Sequence, residues 1–417
     1  MAVVLPDPQR RQFTQRASAR FFHLVDAVGE AHEPTATQLD ALASSYQGLG
    51  EFLTDCPEFR GLLKEVHPQG SRELGTLVRP LDAGREGVDI DLVAMMDEAA
   101  IFKYGSSDGP ARLINDFHAA CLRYAMAHEL TVKRHDRCVT LHYAGGMTAD
   151  VTPMILAPSI VALHGETCAR IPDRTRQNFN LTNPRGYAKR FSTTASISPR
   201  FTTGIVLDSA FRAGDKAGVA PLPDTKDVFP RLLSRFVQLL KLNRNVSFGL
   251  PTGGENVAPA SVFLTSLCLE AYKDLAPLPH ASPLDLMLHI IESLPRYFQI
   301  EHSHDGTEHW LLQNPTAQGD NLASSMNSRS RQQAFRLWHA KAQRDIEAIL
   351  IAIESPTGLD TLLLKIEAAF GERAVRAVRA QELQGQAPTR TPSRVAIVAG
   401  TGATFATTSR AHSNFGD

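Results

Sequence analysis

The sequence predicts an α+β protein in which a mixed β-sheet with flanking helices is followed by a mostly helical second lobe. Apolar runs of strand length are concentrated between residues 67 and 160. After Pro172-Asp173 the pattern changes to long helical periods separated by prolines. A chain of 417 residues with 43% hydrophobic content is long enough to form two such lobes with a cleft between them.

The first lobe is expected to cover residues 1–170. Apolar residues at helical spacing predict two amphipathic helices before the sheet and one that crosses it. Alternating apolar residues on both sides of a glycine pair predict a β-hairpin between residues 131 and 156. The helices are Arg11 to Val28, Thr35 to Phe52 and Ala111 to Leu130, and the hairpin consists of Thr131 to Tyr143, the turn Ala144-Gly145-Gly146, and Met147 to Leu156.

The second lobe is expected to cover residues 171–384 and to be helical. From residue 385 onward, Gly, Ala, Ser, Thr and Pro with few bulky side chains predict a flexible tail. The helices expected before it are Pro184 to Arg212, Asp224 to Arg244, Ala258 to Tyr272, Pro283 to Leu294, Ala323 to Ile353 and Gly358 to Gln384.

Chemistry-bearing residues are concentrated between Gly70 and Leu92, with a third acid at Asp150. Asp89 and Asp91 are separated by one residue inside an apolar run, so on a strand both carboxylates point to the same face. Two such charges repel unless a cation lies between them. Asp150 falls on a strand that can lie beside them.

The pair Gly70-Ser71 directly precedes a short polar stretch that ends at Thr76. Small residues allow a backbone to approach a phosphate, and the following turn can direct its N–H groups toward one. Taken separately, most Gly-Ser pairs are ordinary turns and most such acid pairs lie on solvated strand edges. Their combination and order favour a site for a metal-bound triphosphate.

The combination GSxxxGT, DxD and a third Asp resembles the polymerase-beta-like nucleotidyltransferase superfamily. Further segments resemble one branch of it, the bacterial CD-NTases related to cyclic GMP-AMP synthase and oligoadenylate synthase, and the similarity covers roughly residues 10 to 350. These segments are Ile171-Pro172-Asp173-Arg174, Thr182-Asn183-Pro184-Arg185-Gly186-Tyr187, Arg231 to Arg244, Ser261 to Ser266, and Asn314-Pro315 with Asn321.

The resemblance implies a role for each candidate residue. Asp89, Asp91 and Asp150 would hold two Mg²⁺ ions (or Mn²⁺), with the active site in the cleft between the lobes. Gly70 and Ser71 would bind the donor phosphates, and Lys241 and Ser261 would reach the same triphosphate. From the residues alone, Lys241 could equally belong to a solvated basic stripe with Arg231, Arg235 and Gln238, and Ser261 could be a plain helix N-cap.

The resemblance also implies an activity, namely the joining of nucleoside triphosphates, ATP among them, into a cyclic or linear di- or trinucleotide messenger. Such products activate an effector protein in bacterial antiphage defence. The alternatives are an enzyme that modifies a protein, a drug or a tRNA end, and a pseudoenzyme that binds RNA or a partner. We also expect a regulatory or conjugating protein to bind the C-terminal tail.

Composition narrows the class of protein. The formal net charge is −1, so any nucleic-acid-binding patch must be local. No apolar run reaches the length of a membrane span, and the N-terminus lacks the apolar segment of a signal peptide, so we expect a cytoplasmic protein. The five cysteines show no metal-ligand spacing and are expected to be buried thiols. The zinc insertion with which vertebrate cyclic GMP-AMP synthase binds DNA is therefore not expected, nor is direct DNA sensing.

Overall fold

A computed structural model describes residues 13–79, 81, 88–157, 167–202, 232–249, 255–355, 358–386, 394–398 and 404–408. By compactness the chain divides into one unit of Met1–Ile205 with Pro223–Val378 and a second of Val206–Leu222 with Arg379–Asp417. This division does not separate the two predicted lobes, so the boundary expected near residue 170 stays a prediction.

Two amphipathic helices precede the sheet, as predicted. They are α1, Gln15–His32, and α2, Ala36–Asp55. Threonine side chains cap both N-termini, and at α2 Thr35 and Gln38 form a reciprocal capping box. The caps satisfy backbone N–H groups that the first helical turn leaves unpaired, which explains why each helix begins where it does.

The sheet has seven strands in the described part of the chain, with five of them in the order β1-β2-β5-β4-β3. β2 and β5 are parallel and the other pairs are antiparallel. β6 pairs with the last residues of β5 on one side and with β7 on the other. The strands are β1 Leu63–Gln69, β2 Asp89–Met96, β3 Thr131–Arg134, β4 Val139–His142, β5 Thr148–Leu156, β6 Ala169–Asp173 and β7 Asn178–Thr182.

The apolar run after Asp89 is explained by burial on both faces of β2. Ile90 and Leu92 belong to the main core of the sheet, whereas Val93 and Met95 pack on the opposite face with Met154. Three helices accompany the sheet in the part of the chain that the structure describes. They are α3 Gly70–Glu73, α4 Ala100–Tyr104 and α5 Gly109–Ala127.

The second half of the chain is mostly helical, as predicted. Its core contains the helices named here and also α1 from the N-terminus, through Phe21, Leu24 and Val28. The elements are α6 Pro184–Ala195, α7 Leu232–Phe248, α8 Ser261–Leu275, α9 Pro283–Ser293, α10 Arg329–Glu354, α11 Leu359–Phe370, α12 Glu372–Gln386, and the short strands β8 Arg200–Phe201, β9 Pro279–His280, β10 Gln299–His302 and β11 Glu308–Leu311.

Several predicted boundaries were wrong. The strand expected over Thr131 to Tyr143 is itself a hairpin, since β3 and β4 pair across residues 135–138, and the turn expected at residues 144–146 is a 3₁₀ helix. The helix expected over residues 358–384 is broken by Gly371, whose positive φ of 83° ends α11. The helix expected over residues 184–212 ends at Ala195. Residues 203–231, where the next helix was expected to begin, lie outside the described residues.

In the expected flexible tail, β12, Arg394–Val398, pairs with β13, Thr404–Thr408, in an antiparallel hairpin. These residues therefore pair with each other within the tail, and the expected flexibility of the tail stays a prediction. The remaining tail residues, 387–393, 399–403 and 409–417, lie outside the described residues. Among the described helices, none combines the length and the apolar character that crossing a lipid bilayer requires.

Candidate active site

The register of the sheet places the three predicted acids together. Asp91 on β2 is the direct partner of Asp150 on the parallel strand β5, and Asp89 is the partner of Thr148. Thr148 Oγ1 donates a hydrogen bond of 2.7 Å to Asp89 Oδ1, and the Thr140 hydroxyl on β4 donates to Asp150 Oδ1. The two threonines thus anchor one oxygen of each carboxylate and leave the second oxygen available.

The turn at Gly70 lies directly against Asp91. Gly70 has a φ of +59°, and a Cβ at this position would lie 2.5 Å from Asp91 Oδ2. Glycine is therefore required both by the left-handed backbone and by the close approach of the carboxylate. The predicted helical turn after Gly70 is present as α3, and Ser71 is its second residue.

Electrostatic repulsion and burial act together on these acids. Burial, followed by the charges of Asp89 and Asp150, raises the pKa of Asp91 to about 7. Desolvation also raises the pKa of Asp89, although this residue borders open space at the start of β2, and the Asp150 charge adds to that rise. A cation bound between these carboxylates would relieve the cost of burying their charges. The raised pKa values of Asp89 and Asp91 therefore mark this place as a candidate cation site.

The donor set fits a divalent ion that prefers oxygen ligands, since it consists of carboxylates alone. Across the described ranges, no three His, Cys, Asp or Glu side chains are gathered closely enough to form a complete metal site. The Mg²⁺ role of the three acids consequently stays a prediction.

A cavity of about 890 Å³ opens beside Asp89 and Asp91. Its walls come from both halves of the chain, and all four predicted nucleotide-binding residues line it, namely Gly70, Ser71, Lys241 and Ser261. Asp150 borders a second cavity of about 510 Å³, together with Arg137 and Asp173.

The segments Thr182 to Tyr187 and Asn314 to Asn321 meet at the wall of the large cavity. Asn183 caps α6 and donates a hydrogen bond of 2.9 Å to the carbonyl of Thr316. Asn314 in turn donates to Asp320 at 2.8 Å. Asn183 therefore joins two segments that are distant in the chain, whereas the Asn314 bond closes a loop within one of them.

Lys241 is buried rather than solvated. The side chain lines the cavity, and its Nζ donates to the carbonyl and the hydroxyl of Thr76 at 3.1 and 3.2 Å. Burial and the charge of Arg244 lower the pKa of Lys241 to about 8, and Asp91 opposes this shift. The alternative of a solvated basic stripe was wrong for Arg235, Gln238 and Lys241, all of which are buried. Arg231, the fourth member, lies outside the described residues.

Ser261 is the first residue of α8, and the N-cap position belongs to Ala260, so the alternative of a plain N-cap was wrong. Ser261 Oγ accepts a hydrogen bond of 2.9 Å from Arg244 Nη1, which also donates to the carbonyl of Pro259. Arg244 borders the cavity and was not among the predicted site residues. Its only sequence signal is a position three residues after Lys241 on the same helix.

Known proteins resemble this chain in sequence. Residues 27–194 match the family model of the Second Messenger Oligonucleotide or Dinucleotide Synthetase domain, SMODS. The chain is 28% identical over 261 residues to a c-di-GMP synthase from Roseivirga ehrenbergii, a match covering 62% of this chain and 63% of that protein. It is 27% identical over 210 residues to the cyclic dinucleotide synthase CdnG of Bradyrhizobium diazoefficiens, with 48% and 46% covered.

Two solved structures resemble the fold. The Bradyrhizobium diazoefficiens CD-NTase CdnG in complex with GTP aligns with a TM-score of 0.59 at 19% identity, covering 87% of this chain and 98% of that one. The E. coli MS115-1 CdnC:HORMA-deltaN complex aligns with a TM-score of 0.54 at 16% identity, covering 84% and 97%. This likeness confirms the predicted α+β nucleotidyltransferase fold.

Proposed function

We propose that this chain, which belongs to the bacterial CD-NTases, joins nucleoside triphosphates into a cyclic or linear di- or trinucleotide and releases pyrophosphate. The observation that carries the proposal is the pairing of Asp91 with Asp150 across two parallel strands. This pairing puts Asp150 on the strand beside Asp91, which lies against the Gly70 turn, and Asp89 and Asp91 border a cavity large enough for a nucleotide.

Nucleoside triphosphates are the substrates that fit best. The cavity presents Lys241 and Arg244 opposite the acids, so cationic groups can compensate the charge of a triphosphate. One relative is named a c-di-GMP synthase and one similar structure contains GTP, so we include GTP beside the ATP expected from the sequence.

Mg²⁺, held by Asp89, Asp91 and Asp150, would supply charge neutralisation for the triphosphate and a lower pKa for the acceptor hydroxyl. We propose two such ions, with Mn²⁺ as a substitute. The Thr148 and Thr140 hydroxyls orient two of the carboxylates, so they would set which oxygen faces an ion.

The protein's own groups would align the reaction. Ser71 and the adjoining N–H groups hold the donor phosphates, and Lys241 adds a cation at their far end. The acceptor hydroxyl oxygen forms a bond to the donor α-phosphorus, the bond to the β-phosphate oxygen breaks, and pyrophosphate leaves. Asp150 would accept the hydroxyl proton.

The product would act as a messenger that switches on an effector protein in antiphage defence within the cytoplasm. One of the similar structures is a complex of CdnC with HORMA-deltaN, which supports a protein partner for a chain of this fold. We propose a regulatory or conjugating partner for the C-terminal tail of this chain as well, and no direct DNA sensing.

The test is incubation of the purified protein with Mg²⁺ and labelled ATP, GTP, CTP and UTP, singly and mixed, followed by phosphatase treatment and mass spectrometry. We expect phosphatase-resistant cyclic products, or linear oligonucleotides that carry 2′–5′ or 3′–5′ linkages. Transfer of label to a protein, a drug or a tRNA end without free oligonucleotide would replace this function with the alternative. Nucleotide binding without any transfer would indicate a pseudoenzyme.

A further inference from the structure

Side chains on one face of α7 form hydrogen bonds with the segment that follows the Gly70-Ser71 turn. Four consecutive carbonyls of this segment, residues 74 to 77, accept hydrogen bonds from three side chains that are three or four residues apart on the helix. The pairs are Ser234 Oγ to the Leu74 carbonyl at 3.1 Å, Gln238 Nε2 to the Gly75 and Leu77 carbonyls at 3.4 and 3.3 Å, and Lys241 Nζ to the Thr76 carbonyl at 3.1 Å.

Gln238 is the centre of this face. Its side chain is only 2% exposed, and its amide nitrogen lies between two of the four carbonyls. The amide oxygen accepts a hydrogen bond of 2.8 Å from Arg235 Nη1, which fixes the orientation of the amide group. A buried amide held on both sides in this way is costly to rotate, because every rotation leaves a polar group unpaired.

Arg235 is fixed in turn by the N-terminal helix. Its guanidinium is 6% exposed and pairs with Asp26 at 2.8 Å and with Glu33 at 3.1 Å, both at α1. The same Glu33 oxygen lies 3.4 Å from Gln238 Nε2. The carboxylates of α1 therefore determine where the guanidinium, and through it the Gln238 amide, is held.

Gly29 of α1 makes room for this arrangement. A Cβ at Gly29 would overlap with Nη1 and Cζ of Arg235, and even Cδ would be only 2.7 Å away. The backbone of Gly29 is ordinary helix, so space alone requires the missing side chain. Glycine inside a helix is less favourable than alanine by about 1 kcal/mol, which makes its presence here informative.

We propose that Gln238 is a positioning residue for the phosphate-binding turn, and that Gly29 and Arg235 hold it in place. The inference rests on the proposed function, because it assumes that Gly70 and Ser71 bind a triphosphate. Segment 74–77 is continuous with that turn, and the turn lies against Asp91. A displacement of about 1 Å between such groups is enough to lower reaction rates by about a hundredfold.

The sharpest test is Gly29→Ala, which touches neither the turn nor the cavity. The clash falls on the end of a flexible side chain, so Arg235 moves and α1 stays helical. Hydrogen exchange is followed at the amides of Leu74 and Thr76, which donate to the Gly70 and Ser71 carbonyls. We expect their exchange to become about tenfold faster and the affinity for ATP or GTP, measured with Ca²⁺ in place of Mg²⁺, to fall about tenfold.

Gly50→Ala in α2 is the matched control, since a Cβ there meets Val66 at an ordinary 3.4 Å. It should leave exchange and nucleotide affinity unchanged. Gln238→Leu, which nearly preserves the volume of the side chain, should cause the same faster exchange and the same loss of nucleotide affinity as Gly29→Ala. In an Arg235→Met background, Gly29→Ala should add nothing, because its effect acts through the guanidinium.

Unchanged exchange at Leu74 and Thr76 in both Gly29→Ala and Gln238→Leu would overturn the inference. The inference would also be overturned if Gly29→Ala changed exchange and affinity equally in the wild type and in Arg235→Met. The glycine would then act by a route other than the guanidinium. If the wild-type protein binds no nucleoside triphosphate but exchange responds as expected, the proposed function fails and the positioning of the turn stands.

Discussion

The two walls of the candidate site are built in different ways. On the sheet side, backbone register brings Asp91 and Asp150 together as direct partners. On the helical side, Lys241 lines the cavity while it is bonded to Thr76, 165 positions earlier in the chain, and Gln238 supports the same segment through Leu77, 161 positions earlier. The first wall depends on the register of two paired strands, and the second on side-chain packing between segments that are much farther apart in the chain.

This difference explains which predictions succeeded. On a strand, alternation with apolar residues determines the side to which Asp89 and Asp91 point. On a helix, a polar stripe indicates only that the residues do not face an apolar core. Whether water or another segment covers that stripe depends on the tertiary structure, and here residues 74–77 cover it.

The largest effect is expected from removing charge on the sheet side. Asp89→Asn with Asp91→Asn should abolish product formation, because the remaining Asp150 cannot hold the metal and triphosphate alone. Thermal stability should hold or rise, since repulsion and the desolvation of two carboxylates are relieved. Activity and Tm are measured beside Asp40→Asn, an exposed acid of α2 that should change neither. Substantial turnover by the double variant would contradict the assignment.

Lys241 tests the opposite wall. Lys241→Met should raise the KM of the donor triphosphate, at a cost of about 1–3 kcal/mol for the lost charge-assisted contact. In a solvated basic stripe, the alternative considered from the sequence, replacement of Lys241 would leave the stability of the fold unchanged. Because the side chain is buried and bonded to Thr76, we now expect Lys241→Ala to lower Tm as well, and more than Lys241→Met does. An unchanged KM in both variants would remove Lys241 from the site.

The raised pKa of Asp91 predicts a pH dependence of stability. The folded state binds this proton up to about pH 7, whereas an unperturbed Asp loses it near 3.8. Stability should therefore fall as the pH rises from about 4 to about 7 and then level off. Tm measured across this range should show a flatter profile in Asp91→Asn than in the wild type. Parallel profiles would show that Asp91 ionises normally.

Ser261 should show the smallest effect. Its hydroxyl accepts from Arg244 at the cavity wall, so Ser261→Ala removes one neutral acceptor from a partly exposed position. We expect a loss of donor affinity of about 0.5–1 kcal/mol, visible in KM with little change in kcat. A loss as large as that of Lys241→Met would mean that Ser261 contacts the triphosphate directly.

The sequence was sufficient for the features that depend on local pattern. Gly70, Asp89 and Asp91 lie on the elements predicted for them, and Asp150 lies on the strand predicted to flank them. The misplaced elements have local causes that the pattern did not resolve. Gly371 ends a helix through its positive φ, although its neighbours on both sides are good helix formers.

The connections between distant segments could not be predicted from the sequence. The space that Gly29 leaves for Arg235 depends on how α1 crosses α7. In the same way, the bond from Asn183 to Thr316 joins residues that are 133 positions apart. Single-sequence patterns describe faces of elements, and these contacts depend on which faces meet.

The central claim is that Asp89, Asp91 and Asp150 together hold divalent metal beside a bound triphosphate. Mn²⁺ bound per chain can be counted by EPR in the presence of a non-hydrolysable nucleoside triphosphate, after subtraction of the metal bound by the free nucleotide. We predict two Mn²⁺ ions in the wild type, and fewer in Asp91→Asn and in Asp150→Asn. An equal count in the wild type and both variants, or no protein-dependent Mn²⁺ at all, would contradict the account.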